Sequence, residues 1–299
     1  MGFIDELKTE YRIGGIVQRL IFWNVGLFLI PVILFSILQL SGVQLPSFDW
    51  RIIGGDDFFS ISSKPADLIW KPWSLFTYAF LHSGPLHLFF NMMMLVFAGR
   101  LFLTFFTQKQ FFGLYILSAI FAGLLFILSY NVLPGLQRDM SKMVGASAAI
   151  MAILFSTAVY APQYSVRLML IGSVKLWHIA AVFLALDLIY ISAENTGGHI
   201  AHLGGALFGY LYIVLLKQGT DLSKGVSAVI DFFVNLFKPR KSTPFKKVHK
   251  NPQPQQRAST VKPKDMTQKQ IDEILDKISK SGYDSLTKEE KDFLFKVGK

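Results

Sequence analysis

Apolar residues in this 299-residue chain occur in long runs that are separated by polar segments. A helix of about 20 apolar residues crosses the ~30 Å hydrocarbon core of a bilayer. By that measure the sequence predicts an all-α membrane protein with a bundle of six spans: Ile16–Leu40, Leu86–Phe106, Phe111–Val132, Gly145–Tyr160, Leu168–Ile191 and Ile200–Leu216. A long first loop, from Ser41 to about Phe76, separates the first two spans.

The composition agrees with a membrane protein. Hydrophobic residues make up 52% of the chain and charged residues 17%, whereas soluble domains carry about 25% charged residues. Mean hydropathy is +0.42. The chain has no cysteine, which excludes disulfides, thiolate zinc sites and a cysteine nucleophile.

The distribution of charge predicts the orientation in the membrane. Residues Lys238 to Lys264 include nine Lys or Arg and no acid, and they hold much of the net charge of +10. The first loop is instead rich in acids: its charged residues are Asp49, Asp56, Asp57 and Asp67 against Arg51, Lys64 and Lys71. Since basic loops stay on the cytoplasmic side, we expect both termini in the cytoplasm. The basic tail is expected to contact anionic lipid headgroups rather than nucleic acid.

Four segments follow from these patterns. They are a cytoplasmic start (1–15), the membrane domain (16–217), an amphipathic and basic linker (218–264) and a small helical hairpin (265–299). Capping-box patterns begin at Thr267 and Thr287, and Gly282 between them suits a helix end. The sequence does not indicate a partner for the hairpin.

Polar residues inside predicted spans are costly and therefore point to function. His87 and Asn91 are four residues apart, which places them on one helix face. Ser147 follows Gly145 at the start of the fourth span. His199 and His202 lie in a glycine-rich stretch of the sixth span.

These residue types suit nucleophilic catalysis. A serine hydroxyl needs a base within hydrogen-bond reach, and neutral histidine is the usual one. Side chains of Asn91 and His87 could donate to an oxyanion. Gly205 and Gly209, at small-xxx-small spacing, let helices approach closely enough for His202 to reach Ser147. Taken alone, each feature is more typical of helix packing.

The order and register of these residues resemble the rhomboid family of intramembrane serine proteases. Trp73 to His82, followed by His87-Leu-Phe-Phe-Asn91, resembles the end of that family's first loop and its H-x-x-x-N motif. Gly145-Ala-Ser147 resembles the G-x-S nucleophile motif, although position 148 is Ala rather than the usual Gly. Ala201-His202-Leu-Gly-Gly205, with Gly209, resembles the last core span. The chain's start and its C-terminal hairpin resemble those of rhomboids from the Bacteroidetes lineage.

The resemblance implies that Ser147 is the nucleophile and His202 its general base, as a dyad without a third member. It implies that His87, Asn91 and the Ser147 backbone N–H form the oxyanion hole, and that the first loop lies partly in the outer leaflet. It also implies an enzyme of the bacterial inner membrane that cleaves transmembrane protein substrates without a metal or cofactor.

Two further polar residues have open roles. Asp187 is the only acid deep within a predicted span; it either hydrogen-bonds a histidine, lines a water cavity or packs against Ser or Tyr. His199 lies one helical turn before His202, but the glycine register favours His202 as the base.

Other functions have to be weighed against a protease. One is a catalytically inactive rhomboid-like protein that binds transmembrane helices, and another is a transporter or channel with a histidine relay. Metalloprotease and aspartyl-protease mechanisms are excluded, because the chain has neither an H-E-x-x-H motif nor a second intramembrane carboxylate.

Overall fold

The computed structural model describes residues 2–43, 58–137, 140–169, 171–193, 195–237 and 263–297, without the side chains of 3 and 263–267. These residues belong to two compact units, Met1–Lys238 and Pro239–Lys299. The predicted first-loop charges at 49, 51, 56 and 57 and the basic tail from 238 to 262 lie outside the described residues.

The first unit is mostly helical. Its helices are α1 (Phe3–Ile13), α2 (Ile16–Leu40), α3 (Asp67–Trp70), α4 (Ser74–Thr77), α5 (Pro85–Leu103), α6 (Gln108–Val132), α7 (Ser147–Tyr160), α8 (Leu176–Tyr190), α9 (Thr196–Lys217) and α10 (Ser223–Phe237), with a 3₁₀ turn at Tyr78–Phe80. Its strands are β1 (Ile61–Ser62), β2 (Lys142–Met143), β3 (Ser165–Leu168) and β4 (Gly172–Lys175).

Within the described residues, four helices are long and apolar enough to cross a bilayer: α2, α5, α6 and α9. Helices α7 and α8, of 14 and 15 residues, are also apolar but shorter, which is consistent with the six predicted spans. Large apolar side chains on these helices face outward, among them Ile30 (67% exposed), Leu86 (72%) and Ile189 (68%). Because such an apolar surface is unfavourable in water and suits contact with lipid, the protein is an integral membrane protein.

The fifth predicted span, Leu168–Ile191, is wrong at its start. Residues 165–168 and 172–175 form an antiparallel hairpin, in which Val166 pairs with Val174, and the helix begins only at Leu176. Gly172 has φ +87°, which suits the turn between the strands. The apolar run after Arg167 is too short for its periodicity to distinguish a strand from the start of a helix.

The described part of the first loop, from residue 58 onward, is fixed to the segment that precedes Ser147. Strand β1 pairs with β2 through Ile61 and Met143. On the other side, the Trp73 indole donates to the Phe58 carbonyl at 2.7 Å, and Thr77 Oγ1 donates to the Phe59 carbonyl at 2.8 Å. These bonds hold the loop against the helices at the end where α7 begins.

Helix α7 lies at the centre of the bundle, against α5, α6, α8 and α9. Ten of its 14 residues are buried, several of them alanines, including Ala148 and Ala152. Small residues allow this short helix to be surrounded by its neighbours on nearly every side. This position brings Ser147, its first residue, into the interior of the protein.

The segment predicted as a linker from 218 begins with a helix. Helix α10 packs against α6, where Gly113 leaves room for the Ser223 side chain. Asp221 accepts hydrogen bonds from Gln110, Tyr212 and Ser223, which fix the connection between α9 and α10. The first unit thus extends to the end of α10.

The second unit contains α11 (Pro263–Ser281), a 3₁₀ turn at Tyr283–Ser285 and α12 (Lys288–Val297). Helix α11 starts four residues before the capping box predicted at Thr267. The capping box at Thr287 is present: its N–H donates to Glu290 Oε2 at 2.7 Å, and its Oγ1 accepts from the Glu290 N–H at 3.3 Å. Lys277 Nζ donates to both Glu290 oxygens at 2.9 Å and links the two helices.

Candidate active site

A partly open cavity of about 1050 Å³ lies at the N-terminal end of α7. Helices α5, α7, α8 and α9 form its walls, and the loop 140–145 and Ser60 border it. The predicted site residues His87, Asn91, Gly145, Ser147, Asp187 and His202 all line it. His199 lies beside it, bonded to Asp187.

Ser147 and His202 are in direct contact. The distance from Ser147 Oγ to His202 Nε2 is 2.7 Å, which is short for a hydrogen bond between a hydroxyl and an imidazole nitrogen. The His202 side chain is 23% exposed, and both residues line the partly open cavity. A hydroxyl next to an imidazole lone pair is the arrangement that turns serine into a nucleophile.

The glycines of α9 explain how the two helices come so close. A Cβ at Gly205 would overlap the carbonyl oxygen of Ala148, and one at Gly209 would overlap that of Ala152. The Gly209 carbonyl also accepts from Ser156 Oγ at 3.1 Å. Helix α9 therefore lies directly on the backbone of α7, and His202, one turn before Gly205, faces Ser147.

His87 and Asn91 lie on the face of α5 that borders the cavity. His87 Nδ1 accepts from the Ser83 backbone N–H at 3.3 Å and lies 2.9 Å from Ser83 Oγ. A nitrogen that accepts carries no proton, so neutral His87 has its N–H at Nε2. Asn91 Nδ2 donates one hydrogen to the His87 carbonyl at 2.8 Å, and its other hydrogen has no acceptor among the described residues.

Gly145 leaves open the space between these donors and the serine. Its φ is +135°, and its N–H donates to the Tyr78 carbonyl at 3.0 Å. A Cβ there would lie 3.0 Å from His87 Nε2 and 3.5 Å from Ser147 Oγ. The first backbone N–H groups of α7 also have no acceptor within the helix. An anionic oxygen near Gly145 would therefore meet donors from α5 and α7.

Asp187 hydrogen-bonds both histidines of α9. Its Oδ1 lies 2.8 Å from His202 Nδ1 and 2.8 Å from His199 Nδ1. Of the roles considered from the sequence, the structure shows the bond to histidine and also places Asp187 at the cavity wall. The sharing of one oxygen by two histidines is not evident from the sequence.

The ligating atoms of Asp187, His199 and His202 lie within 4.8 Å of one another, a grouping that could hold a metal ion. Two ligands of one tetrahedral zinc lie about 3.3 Å apart, because each bond is about 2.0 Å long. The 2.8 Å distances seen here are shorter and correspond to hydrogen bonds.

Two residues that precede His87 contribute to its surroundings. Neither ring nitrogen of His82 has a hydrogen-bond partner within the described part of the chain. It packs edge-on against His87, and burial, followed by the effect of His87, lowers the pKa of His82 to about 3. Ser83 was missed as the group that orients His87; its position four residues earlier, just before Pro85, was the available signal.

The fold and the cavity define a class: a helical integral membrane protein with a polar, partly open site between its helices. Comparison with protein families gives the family. The Rhomboid domain matches residues 70–219, half of the chain, and the chain belongs to the rhomboid family, which is a family of intramembrane proteases. A second match, to a family of unknown function (DUF6576), covers residues 261–296. No curated protein matches the chain.

Proposed function

We propose that this protein is an intramembrane serine endopeptidase that cleaves transmembrane segments with Ser147 as nucleophile and His202 as general base. The observation that carries the proposal is the 2.7 Å hydrogen bond between Ser147 Oγ and His202 Nε2. Membership of the rhomboid family supports it. An inactive family member would not need this contact.

Each step of peptide hydrolysis has a group in place. His202 Nε2 takes the hydroxyl proton while Ser147 Oγ attacks the peptide carbonyl carbon. The oxyanion accepts hydrogen bonds from His87 Nε2–H, Asn91 Nδ2–H and the Ser147 backbone N–H, near the positive end of the α7 dipole. His202 then gives its proton to the leaving amine. Water from the cavity hydrolyses the acyl-enzyme, again with His202 as base.

The substrate class follows from where the site lies. The cavity is within the apolar bundle, at the N-terminal ends of α7 and α9. A substrate there has to be a membrane protein whose helix unwinds locally, since a helical peptide bond is shielded by its own hydrogen bonds. With both termini cytoplasmic, as the basic tail indicates, this end faces outward across a bacterial inner membrane.

The proposal is tested with the purified full-length chain in proteoliposomes and a single-span substrate. Wild type should release two fragments, and Ser147→Ala should release none while keeping the thermal unfolding midpoint of the wild type. Product from both proteins, or from neither with several substrates, would contradict the proposal. Substrate that copurifies uncut with wild type would instead support an inactive protein that binds transmembrane helices.

A further inference from the structure

Asp187 is a buried acid placed between two imidazoles. It is 6% exposed, and its Oδ1 lies 2.8 Å from Nδ1 of both His199 and His202. Burying a carboxylate inside an apolar bundle is costly unless hydrogen bonds compensate for the lost water. A buried carboxylate at this position therefore indicates a functional role, and its contact with His202 suggests that the role concerns this histidine.

Sequence spacing creates this contact on both helices. His199 and His202 are three residues apart on α9, which places them on one face. Within the described chain, α8 buries only Leu176, Ala180 and Asp187. Their spacing of four and seven residues places them on one face of the helix. This face of α8 packs against the bundle, and Asp187 lies on it near the C-terminal end.

The carboxylate determines which nitrogen of His202 carries the proton. An ionised carboxylate only accepts hydrogen bonds, so each Nδ1 that faces Oδ1 must be the N–H. The lone pair of neutral His202 is then at Nε2, the nitrogen that faces Ser147 Oγ at 2.7 Å. This is the only tautomer in which His202 can take the serine proton.

Asp187 also favours the next state of the reaction. When Nε2 accepts the proton, His202 becomes an imidazolium whose Nδ1–H lies against a negative charge in a poorly hydrated site. His199 orients the carboxylate rather than the serine. It is bonded through Nδ1 to the same oxygen, and it fixes the carboxylate from the position one turn before His202.

We propose that Asp187 is a positioning residue that holds His202 in its base-competent tautomer, with His199 as the second donor that keeps the carboxylate in place. The inference rests on the proposed function and extends it, because the family resemblance implied a dyad without a third member. Asp187 acts through His202 and touches no reacting atom.

The test compares Asp187→Asn with Asp221→Asn in the full-length protein. Asp221 makes a matched control, since it is a hydrogen-bonded acid at the far end of α9, bonded to Gln110, Tyr212 and Ser223. The amide at 187 removes the charge and no longer specifies the tautomer. Asp187→Asn should lower kcat at least about 100-fold with KM changed less than about threefold; the same change in a serine-protease triad costs about 10⁴-fold.

Two further measurements separate positioning from mere support of the fold. Asp187→Glu keeps the carboxylate and should recover at least about tenfold in kcat over Asp187→Asn. The thermal unfolding midpoints of the Asp187→Asn and Asp221→Asn proteins should fall by similar amounts relative to wild type. Only Asp187→Asn should have a lower kcat. A kcat for Asp187→Asn within threefold of that for Asp221→Asn, or no recovery with Glu, would overturn the inference.

Failure of the proposed function gives a different result. In that case wild type does not cleave substrate, or Ser147→Ala cleaves it as well as wild type does, and the inference fails with the proposed function. When wild type cleaves and Ser147→Ala does not, the proposed function stands, and the Asp187 variants alone decide the role of the carboxylate.

Discussion

Gly145 has a backbone conformation that favours glycine, and its lack of a side chain leaves space beside His87. Its φ of +135° is strained for any residue with a side chain, and a Cβ would lie 2.9 Å from His87 Cε1. Gly145→Ala should therefore displace His87 and lower kcat by about 10- to 100-fold, less than complete removal of a donor would. Substrate kinetics measure the effect. Activity equal to wild type would show that the space beside Gly145 is not the oxyanion site.

Asn91 tests the oxyanion hole more directly. Removal of one donor from such a site typically costs about 10²- to 10³-fold in kcat, and Asn91→Ala should lie in that range with little change in KM. Ser118→Ala is the matched control: Ser118 is also buried and polar, but among the described residues its hydroxyl bonds only the Tyr115 carbonyl of its own helix. Equal kcat values for the two variants would contradict the role of Asn91.

At the scale of helices, the crossing of α7 and α9 brings the serine and the histidine together. Gly205→Ala places a methyl group on the Ala148 carbonyl, so the helices must separate. We expect a loss of about 1–3 kcal/mol in stability together with a fall in kcat of more than tenfold. Thermal unfolding and cleavage assays on one preparation measure both.

Gly225→Ala on α10 is the control for this substitution. A Cβ at Gly225 has no heavy atom within 4 Å among the described residues, so it should be neutral or stabilise the helix by up to about 1 kcal/mol. A Gly205→Ala protein as stable and active as Gly225→Ala would contradict the close crossing.

Much of this helical arrangement could be predicted from the sequence, for identifiable reasons. The apolar run of α2 has the bounds that hydropathy predicted, Ile16–Leu40, because polar or glycine residues flank it. The glycine spacing of α9 predicted that His202 faces Ser147, because glycines leave room for the two helices to approach closely. The β3–β4 hairpin was missed because a short apolar run has no decisive period. Sharing of Asp187 by two histidines depends on how α8 is rotated, which hydropathy does not define.

At the scale of the whole molecule, Asp221 fixes the end of the bundle remote from the cavity. Burial raises the pKa of Asp221, but hydrogen bonds from the Ser223 side chain and backbone, then from Tyr212 and Gln110, outweigh it and hold the pKa below its usual range. A lowered pKa in the folded state stabilises the fold above the unfolded pKa of about 3.9, and this contribution is lost as pH falls through the folded pKa.

The sign of this effect gives a test over pH. The thermal unfolding midpoint of Asp221→Asn in detergent should lie below that of wild type at pH 7. The two midpoints should converge as pH falls below about 4, where Asp221 becomes protonated in the unfolded and then in the folded state. A difference between the midpoints that grows on acidification would show that Asp221 is not held as a carboxylate.

Covalent labelling of the intact protein by a serine-reactive fluorophosphonate, with the modified residue identified by mass spectrometry, tests most directly whether His202 activates Ser147. Wild type should be labelled at Ser147, and His202→Ala, which removes the base 2.7 Å from Ser147 Oγ, should lose the label although it folds. Equal labelling of both proteins, or labelling of wild type at a residue other than Ser147, would contradict the activation of Ser147 by His202.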